Sequence, residues 1–166
     1  NEDIIKYLNS INACYKVLED EEIFQEVANL INDGKVVGWF NGRMEFGPRA
    51  LGARSIIGDP RNKKMQSIMN LKIKYRESFR PFAPSILEDD LSSQFDTDVK
   101  SPYMLLVSKV KSNLWRDITK NEKGKKGLNK LNIHRSRIPA VTHVDYSARV
   151  QTVSKKTNPR YYNLIS

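Results

Sequence analysis

The chain of 166 residues carries 28 Lys and Arg against 19 Asp and Glu, a net charge of +9, with 39% hydrophobic and 28% charged residues. Such a length suits one domain, or one domain with an appendage, and the near-average composition excludes disordered, collagen-like and repeat architectures. No apolar run approaches the ~20 residues of a bilayer span, and the single Cys14 excludes an internal disulfide framework and a Cys-rich zinc site.

Glu21 to Asp33 reads as an amphipathic helix, with Ile23, Phe24, Val27, Leu30 and Ile31 on one face, acids in the first turn and Gly34 as its stop. Lys35 to Asn41 is a short, β-rich run and reads as a buried strand. Gly42 to Ser55 is a Gly- and Pro-punctuated loop, after which Ile56-Ile57 opens a short strand. Asp59-Pro60 has the form of a helix start, Asp as cap and Pro in the first position, with Met65, Ile68 and Met69 on the inner face. Arg80 to Leu87 is expected to be extended because each Pro biases its predecessor away from helix. Glu88 to Phe95 reads as a short helix, and Tyr103–Val110, Ile138–Val144 and Arg149–Val153 as strands. Asn158-Pro159 then starts a last helix with Tyr161, Tyr162 and Ile165 facing inward. Helices and strands alternate without a regular βαβ period, so the fold class is α/β (α+β) with a mixed sheet.

The positive charge is unevenly placed. Residues 1–33 hold two Lys and eight acids (net −6), and residues 81–108 one Lys and five acids (net −4). Two blocks of +8 stand against them: residues 34–80, with eleven cations and three acids, and residues 109–137, with ten and two. The second contains the Gly-punctuated run from Lys120 to Lys130 and reads as an exposed, mobile loop within a variable connection over 112–137. The first interleaves its Arg and Lys with Gly, Pro, Phe and Leu, a texture of positioned rather than merely solubilising charge.

There is no P-loop, Rossmann fingerprint, nucleophile elbow or HExxH sequence. What remains is Gly42-Arg-Met-Glu-Phe-Gly-Pro-Arg-Ala-Leu-Gly-Ala-Arg-Ser55, followed by Lys74-Tyr-Arg-Glu-Ser-Phe-Arg-Pro81. Gly-rich turns expose backbone N–H groups, and Arg offers a planar fork that matches phosphate oxygens. The spacing fits two arrangements equally: an anion-binding pocket, or surface salt bridges to Glu45, Glu77 and Asp59. A further cluster, Thr142-His143-Val144-Asp145 with Ser147-Ala148-Arg149, offers either an acid–base pair or a structural histidine. His134 reads as ordinary surface.

These motifs carry a resemblance. Residues 42–52 with Arg54-Ser55 and Asp59-Pro60-Arg61, then Arg76-Glu77 and Phe79-Arg80-Pro81-Phe82-Ala83-Pro84-Ser85, then His143-Val144-Asp145 with Ala148 to Val153 and Asn158-Pro159, resemble three ordered signatures of the NodU/CmcH family of O-carbamoyltransferases. The matching region is that family's C-terminal domain, which resembles the YrdC/Sua5 fold, a twisted mixed β-sheet flanked by helices around a basic cavity. The resemblance implies a domain spanning 21–166, with 1–20 as a lead-in from an upstream domain. It also implies an incomplete C-terminal end, since the family continues beyond Ser166 with an Asn-Thr-Ser-Phe-Asn segment. The implied function is to bind ATP with Mg²⁺ and carbamoyl phosphate and to form carbamoyl-adenylate. Transfer to a hydroxyl acceptor then belongs to an absent N-terminal ASKHA (Kae1-like) domain that carries the iron.

Carried over by position, Arg49 contacts phosphate or carbamoyl phosphate oxygens, Lys74 and Arg80 hold the triphosphate as the catalytic pair, and Arg149 adds a further contact. Arg54, Ser55, Ser85 and His143 are the remaining binding candidates. No covalent nucleophile is required, so Cys14 is expected to be structural. Ala53 stands where the family usually has Asn, which removes one polar contact. The competing reading is a YrdC-like nucleotide- or RNA-binding module without transferase activity. The 34–80 block lacks the exposed, interleaved aromatics that stack bases, so a nucleic-acid partner is not expected. A membrane partner is not expected either. The polar opening Asn1-Glu2-Asp3 lacks the pattern of a secretory leader, and a cytoplasmic location is expected.

Overall fold

The computed structural model describes residues 2–166. Helix α1 spans Glu2–Ser10 and buries none of its residues. Helix α2, Asp20–Asn32, has its first turn rich in acids, Asp20, Glu21 and Glu22, where the helix dipole favours negative charge. Val27 lies at the centre of its inner face. Gly34 follows with φ +76°, the left-handed conformation that ends a helix without a Cβ penalty.

Strand β1, Val37–Phe40, pairs antiparallel with β2, Arg54–Ile57, with Phe40 opposite Arg54. The whole Gly-rich stretch is therefore the connection of one hairpin. Beyond it, the helix expected at Asp59-Pro60 starts later, as α3, Met65–Ile68, continued by a π-helical turn over Met69–Ile73. The Asp59 carboxylate is occupied by the Arg61 backbone N–H (2.9 Å) and Nε (2.8 Å), so it folds a local turn and does not cap a helix.

Strand β3, Ser85–Leu87, follows the Pro-rich segment, and a 3₁₀ turn over Glu88–Asp90 leads into α4, Leu91–Gln94. Strand β4, Val107–Lys109, is shorter than the apolar run that contains it. The Ser101 hydroxyl accepts the Leu105 and Leu106 N–H groups (both 3.2 Å), and Met104 has φ +56°, so the chain turns there first. Strands β5, Ser147–Arg149, and β6, Gln151–Val153, are two halves of one extended segment. Its successive amides donate in alternate directions, Val150 to Leu106, Gln151 to Pro84 and Thr152 to Ser101. It thus pairs antiparallel with β4 and parallel with β3. Parallel and antiparallel pairs are both present, as the α/β (α+β) class requires. The expected mixed sheet takes the form of three two-stranded ladders, two of which share the 147–153 segment.

The strand expected over 138–144 is absent. Pro139 has no amide for a ladder, and the Thr142 hydroxyl donates to the Ile138 carbonyl (2.8 Å), holding a turn. The basic 112–137 connection is ordered locally. It contains α5, Lys120–Gly124, with Thr119 and Glu122 forming a capping box. Helix α6, Pro159–Ile165, begins where expected, with the Asn158 side chain accepting from the Tyr161 N–H (3.3 Å) and Pro159 in the first turn.

Three apolar clusters hold these pieces together. Val27, Trp39, Val153, Tyr161 and Leu164 join α2, the hairpin, β6 and α6. Leu91, Phe95, Val110, Ala148 and Val150 form the second. Met65, Met69 and Ala140 form the third, with Val36, Ile56 and Phe82 against it, so both methionines are core residues. Cys14 is exposed and belongs to none of them. No helix among the described residues is long and apolar enough to cross a membrane.

Candidate anion-binding cavity

A cavity of about 670 Å³ opens between the hairpin, the Met65–Ile73 helical segment, the Pro81–Ser85 strand approach and α6. That is within the range of small-molecule sites. Six cations line it, Arg49, Arg54, Arg61, Lys74, Arg76 and Arg149, against one acid, Asp59. Two of the six are engaged. Arg61 bonds to Asp59 at 2.8 Å. Arg54 sits 3.6 Å from Glu45 Oε2, and its guanidinium also donates to the Gly47 carbonyl. Arg49, Lys74, Arg76 and Arg149 have no carboxylate partner among the described residues.

The hairpin connection is shaped by Glu45. One carboxylate oxygen accepts the N–H groups of Leu51 (2.6 Å) and Ala53 (2.8 Å), closing the loop on itself. These backbone bonds and the neighbouring Arg54 hold the Glu45 carboxyl below its ordinary pKa although burial opposes them. The Ser55 hydroxyl accepts the Gly52 N–H at 2.9 Å. Arg49 and Arg54 thereby reach the cavity from one loop that is held from within.

The second loop is held by Asn70, a fully buried side chain of the π turn. Its Nδ2 donates to the carbonyls of Ser78 (3.0 Å) and Arg80 (2.8 Å), and its Oδ1 accepts from Arg76 Nε at 2.6 Å. The Arg76 guanidinium also lies 4.9 Å from the Phe82 ring centroid. Burial, with the adjacent Arg80 as a lesser cause, makes Arg76 less basic than an ordinary arginine. A half-buried cation in this state is stabilised by an arriving anion.

Of the candidates read from the sequence, the cavity gathers Arg49, Arg54, Ser55, Lys74, Ser85 and Arg149. Arg80 and His143 do not line it. Arg80 is exposed and faces Glu77 at 3.6 Å, an i,i+3 pair on the surface. His143 is half-buried, with Nδ1 3.2 Å from Ser147 Oγ. Ser147 gives its proton to Asp145 (2.6 Å), so Nδ1–H of the neutral ring is the donor to Ser147. Burial, more than the neighbouring Arg149, lowers the His143 pKa, and Asp145 opposes the shift. Sequence reasoning placed Arg76 in a motif but gave it no role, and it missed Asn70 and Gln151. The signal for Arg76 was its position two residues after Lys74. Asn70 lies outside the quoted motifs although its partners Arg76, Ser78 and Arg80 are within ten residues. Gln151 lies inside the third signature without a role because its partners Ser85 and Leu51 are distant in sequence.

Magnesium finds little here. The one lining carboxylate among the described residues, Asp59, is already committed to Arg61, and no cluster of three or more acids, His or Cys is found there, so these side chains alone do not form a site for Mg²⁺.

The profile of the family described as "Carbamoyltransferase C-terminus" matches residues 28–166. An uncharacterized protein of Synechocystis sp., sll1178, is 58% identical over 99% of this chain and 27% of its own length. Nodulation protein NolO of Bradyrhizobium diazoefficiens is 40% identical over 96% of this chain and 26% of its own. The 3'-hydroxymethylcephem-O-carbamoyltransferase of Amycolatopsis lactamdurans is 37% identical over 85% and 23%. The chain thus spans about a quarter of the length of the curated relatives it matches. The matched span starts inside α2 and takes in the hairpin loop, the Lys74–Ser85 segment and the β5–β6 strand that together make the cavity, and the chain belongs to the carbamoyltransferase C-terminal family.

Proposed function

We propose that this domain binds ATP and carbamoyl phosphate in the 670 Å³ cavity and forms carbamoyl-adenylate, which a separate N-terminal domain of the ASKHA (Kae1-like) type, carrying iron, transfers to a hydroxyl acceptor. The observation that carries the reading is the convergence of Arg49, Lys74, Arg76 and Arg149 on one cavity without carboxylate partners. Both substrates are polyanions, and their phosphates are what such a set recognises.

The chemistry places a demand to which a cationic lining is suited. Water releases inorganic phosphate from carbamoyl phosphate and leaves carbamate. A carbamate oxygen then attacks the α-phosphorus of ATP, the bond to the β-phosphate oxygen breaks, and pyrophosphate departs. Negative charge grows on the departing oxygens, and cations preorganised around them lower the barrier. Lys74 and Arg76 are suited to the triphosphate, and Arg49 and Arg149 to the second phosphate. Arg80, exposed and paired with Glu77 at 3.6 Å, lies outside the lining, so the triphosphate role expected of it passes to Arg76.

Calorimetric titration of the 166-residue chain with ATP and with carbamoyl phosphate tests this. Saturable binding is expected, with Arg49→Ala and Lys74→Ala each weakening it about tenfold or more, the scale of a lost charge-assisted contact. Binding that both substitutions leave untouched defeats the proposal. So does binding of RNA alone with a steep salt dependence.

A further inference from the structure

Three polar side chains lie in series on the cavity wall. The Tyr161 hydroxyl donates to Ser85 Oγ (2.9 Å), Ser85 donates to Gln151 Oε1 (3.0 Å), and Gln151 Nε2 donates to the Leu51 carbonyl (2.7 Å). Tyr161 is 2% exposed and Gln151 4%, so both ends of the series are shielded from water, while Ser85 between them is half-buried. The series runs one way, since each hydroxyl has one proton to give. The proton of Ser85 is therefore committed and is not available to a phosphate oxygen.

The far end of the series is the loop that presents Arg49. Leu51 is held on its other side by Glu45, and the next residue, Gly52, rests directly on the tyrosine ring. A Cβ at Gly52 would collide with Tyr161 Cδ1, and its φ of +108° already favours glycine. Trp39 Nε1 donates to the Gly52 carbonyl at 3.0 Å. Arg49 has no side-chain partner of its own among the described residues, so the placement of its Cα rests on this backbone two residues on.

We propose that Gln151 is a positioning residue, set by Tyr161 through Ser85, that holds the Leu51–Gly52 backbone so that Arg49 meets its anion. The seating of α6 and the aim of the Arg49 loop are then one event, although Gln151 and Leu51 are 100 residues apart. The proposal rests on the cavity being the anion site proposed above.

Two measurements on the 166-residue chain test it, using Tyr161→Phe, Gln151→Met and the control Tyr162→Phe, whose hydroxyl bonds to Asp89. The first is amide hydrogen exchange without ligand. Residues 43–55 are expected to exchange faster in both relay variants while the control leaves them unchanged. No change there, or an equal change along the whole chain, overturns the relay. The second is ATP affinity. Tyr161→Phe is expected to weaken ATP about tenfold, the effect of one hydrogen bond to an ordered group. The double variant Tyr161→Phe/Arg49→Ala is expected to be no weaker than Arg49→Ala alone, because Tyr161 acts through Arg49. Losses that simply add mean a general structural role and overturn the proposal. If the unaltered chain fails to bind ATP while the exchange result holds, the substrate reading falls and the loop-positioning role stands. Tyr161→Phe keeps the ring, so it remains decisive if Gln151→Met does not fold.

Discussion

Asn70 uses its whole side chain on one loop, and removing it has an outcome that can be foreseen. Asn70→Ala leaves the Ser78 carbonyl and the Arg76 Nε without their partner, leaves the Arg80 carbonyl with its Gln66 contact alone, and opens a cavity beside Met69. A loss of about 2–4 kcal/mol in unfolding free energy is expected, read from a urea midpoint, together with weaker ATP binding. The weakening comes from Arg76 and Lys74 losing their placement, so it should persist at temperatures where the variant is still fully folded. Unchanged affinity in the folded variant shows that the loop does not need this clamp. Residue chemistry was legible where it depends on type: the Gly-Pro-Arg turn and the Lys-x-Arg segment marked cations that the fold brings to one cavity. It was not legible where it depends on direction. Arg80 and His143 have suitable side chains, but Glu77 draws one outward and Ser147 and Asp145 occupy the other.

Among the secondary-structure elements, α5 converts a run that reads as loop into a capped turn of helix. Arg116, first, and then Thr119 hold the Glu122 carboxyl down to about 2 from its ordinary 4.5. Its folded pKa is depressed, so the stabilisation is complete above pH 4.5 and is lost as pH falls from 4.5 toward 2. The expected outcome is faster amide exchange over 115–137 in that window, ahead of global unfolding, and the same loosening at pH 7 in Glu122→Gln. An unaltered exchange pattern in both cases means the Arg116–Glu122 contact (2.6 Å) does not organise this segment. Helices α2 and α6 were legible because their caps and apolar periods lie within the helix itself. The 138–144 strand was misread because its β-branched residues are overridden by Pro139 and by side-chain bonds to the backbone, which composition does not register.

Across the molecule, the two basic blocks part company. Lys120, Lys123, Lys125, Lys126 and Lys130 are exposed, and none lines the cavity. Exposed charges farther from a site than the ~10 Å Debye length at 0.1 M salt are largely screened. Because none of them lines the cavity, replacing Lys120, Lys123, Lys125 and Lys126 with Gln is expected to change ATP affinity at 0.15 M salt by less than about twofold. A larger fall makes this surface part of the site.

The net charge of +9, its division into blocks and the three motifs are properties of residue order, and they sufficed for the mixed α/β class and the family. They sufficed because charge, chain turns and helix caps act over a few residues. Which cations share a cavity, that Arg76 joins them while Arg80 and His143 stay outside, and that Gln151 meets Leu51 were decided by packing. Those contacts join segments up to 100 residues apart, and they exist only once the apolar clusters have brought the hairpin, the π turn and α6 together.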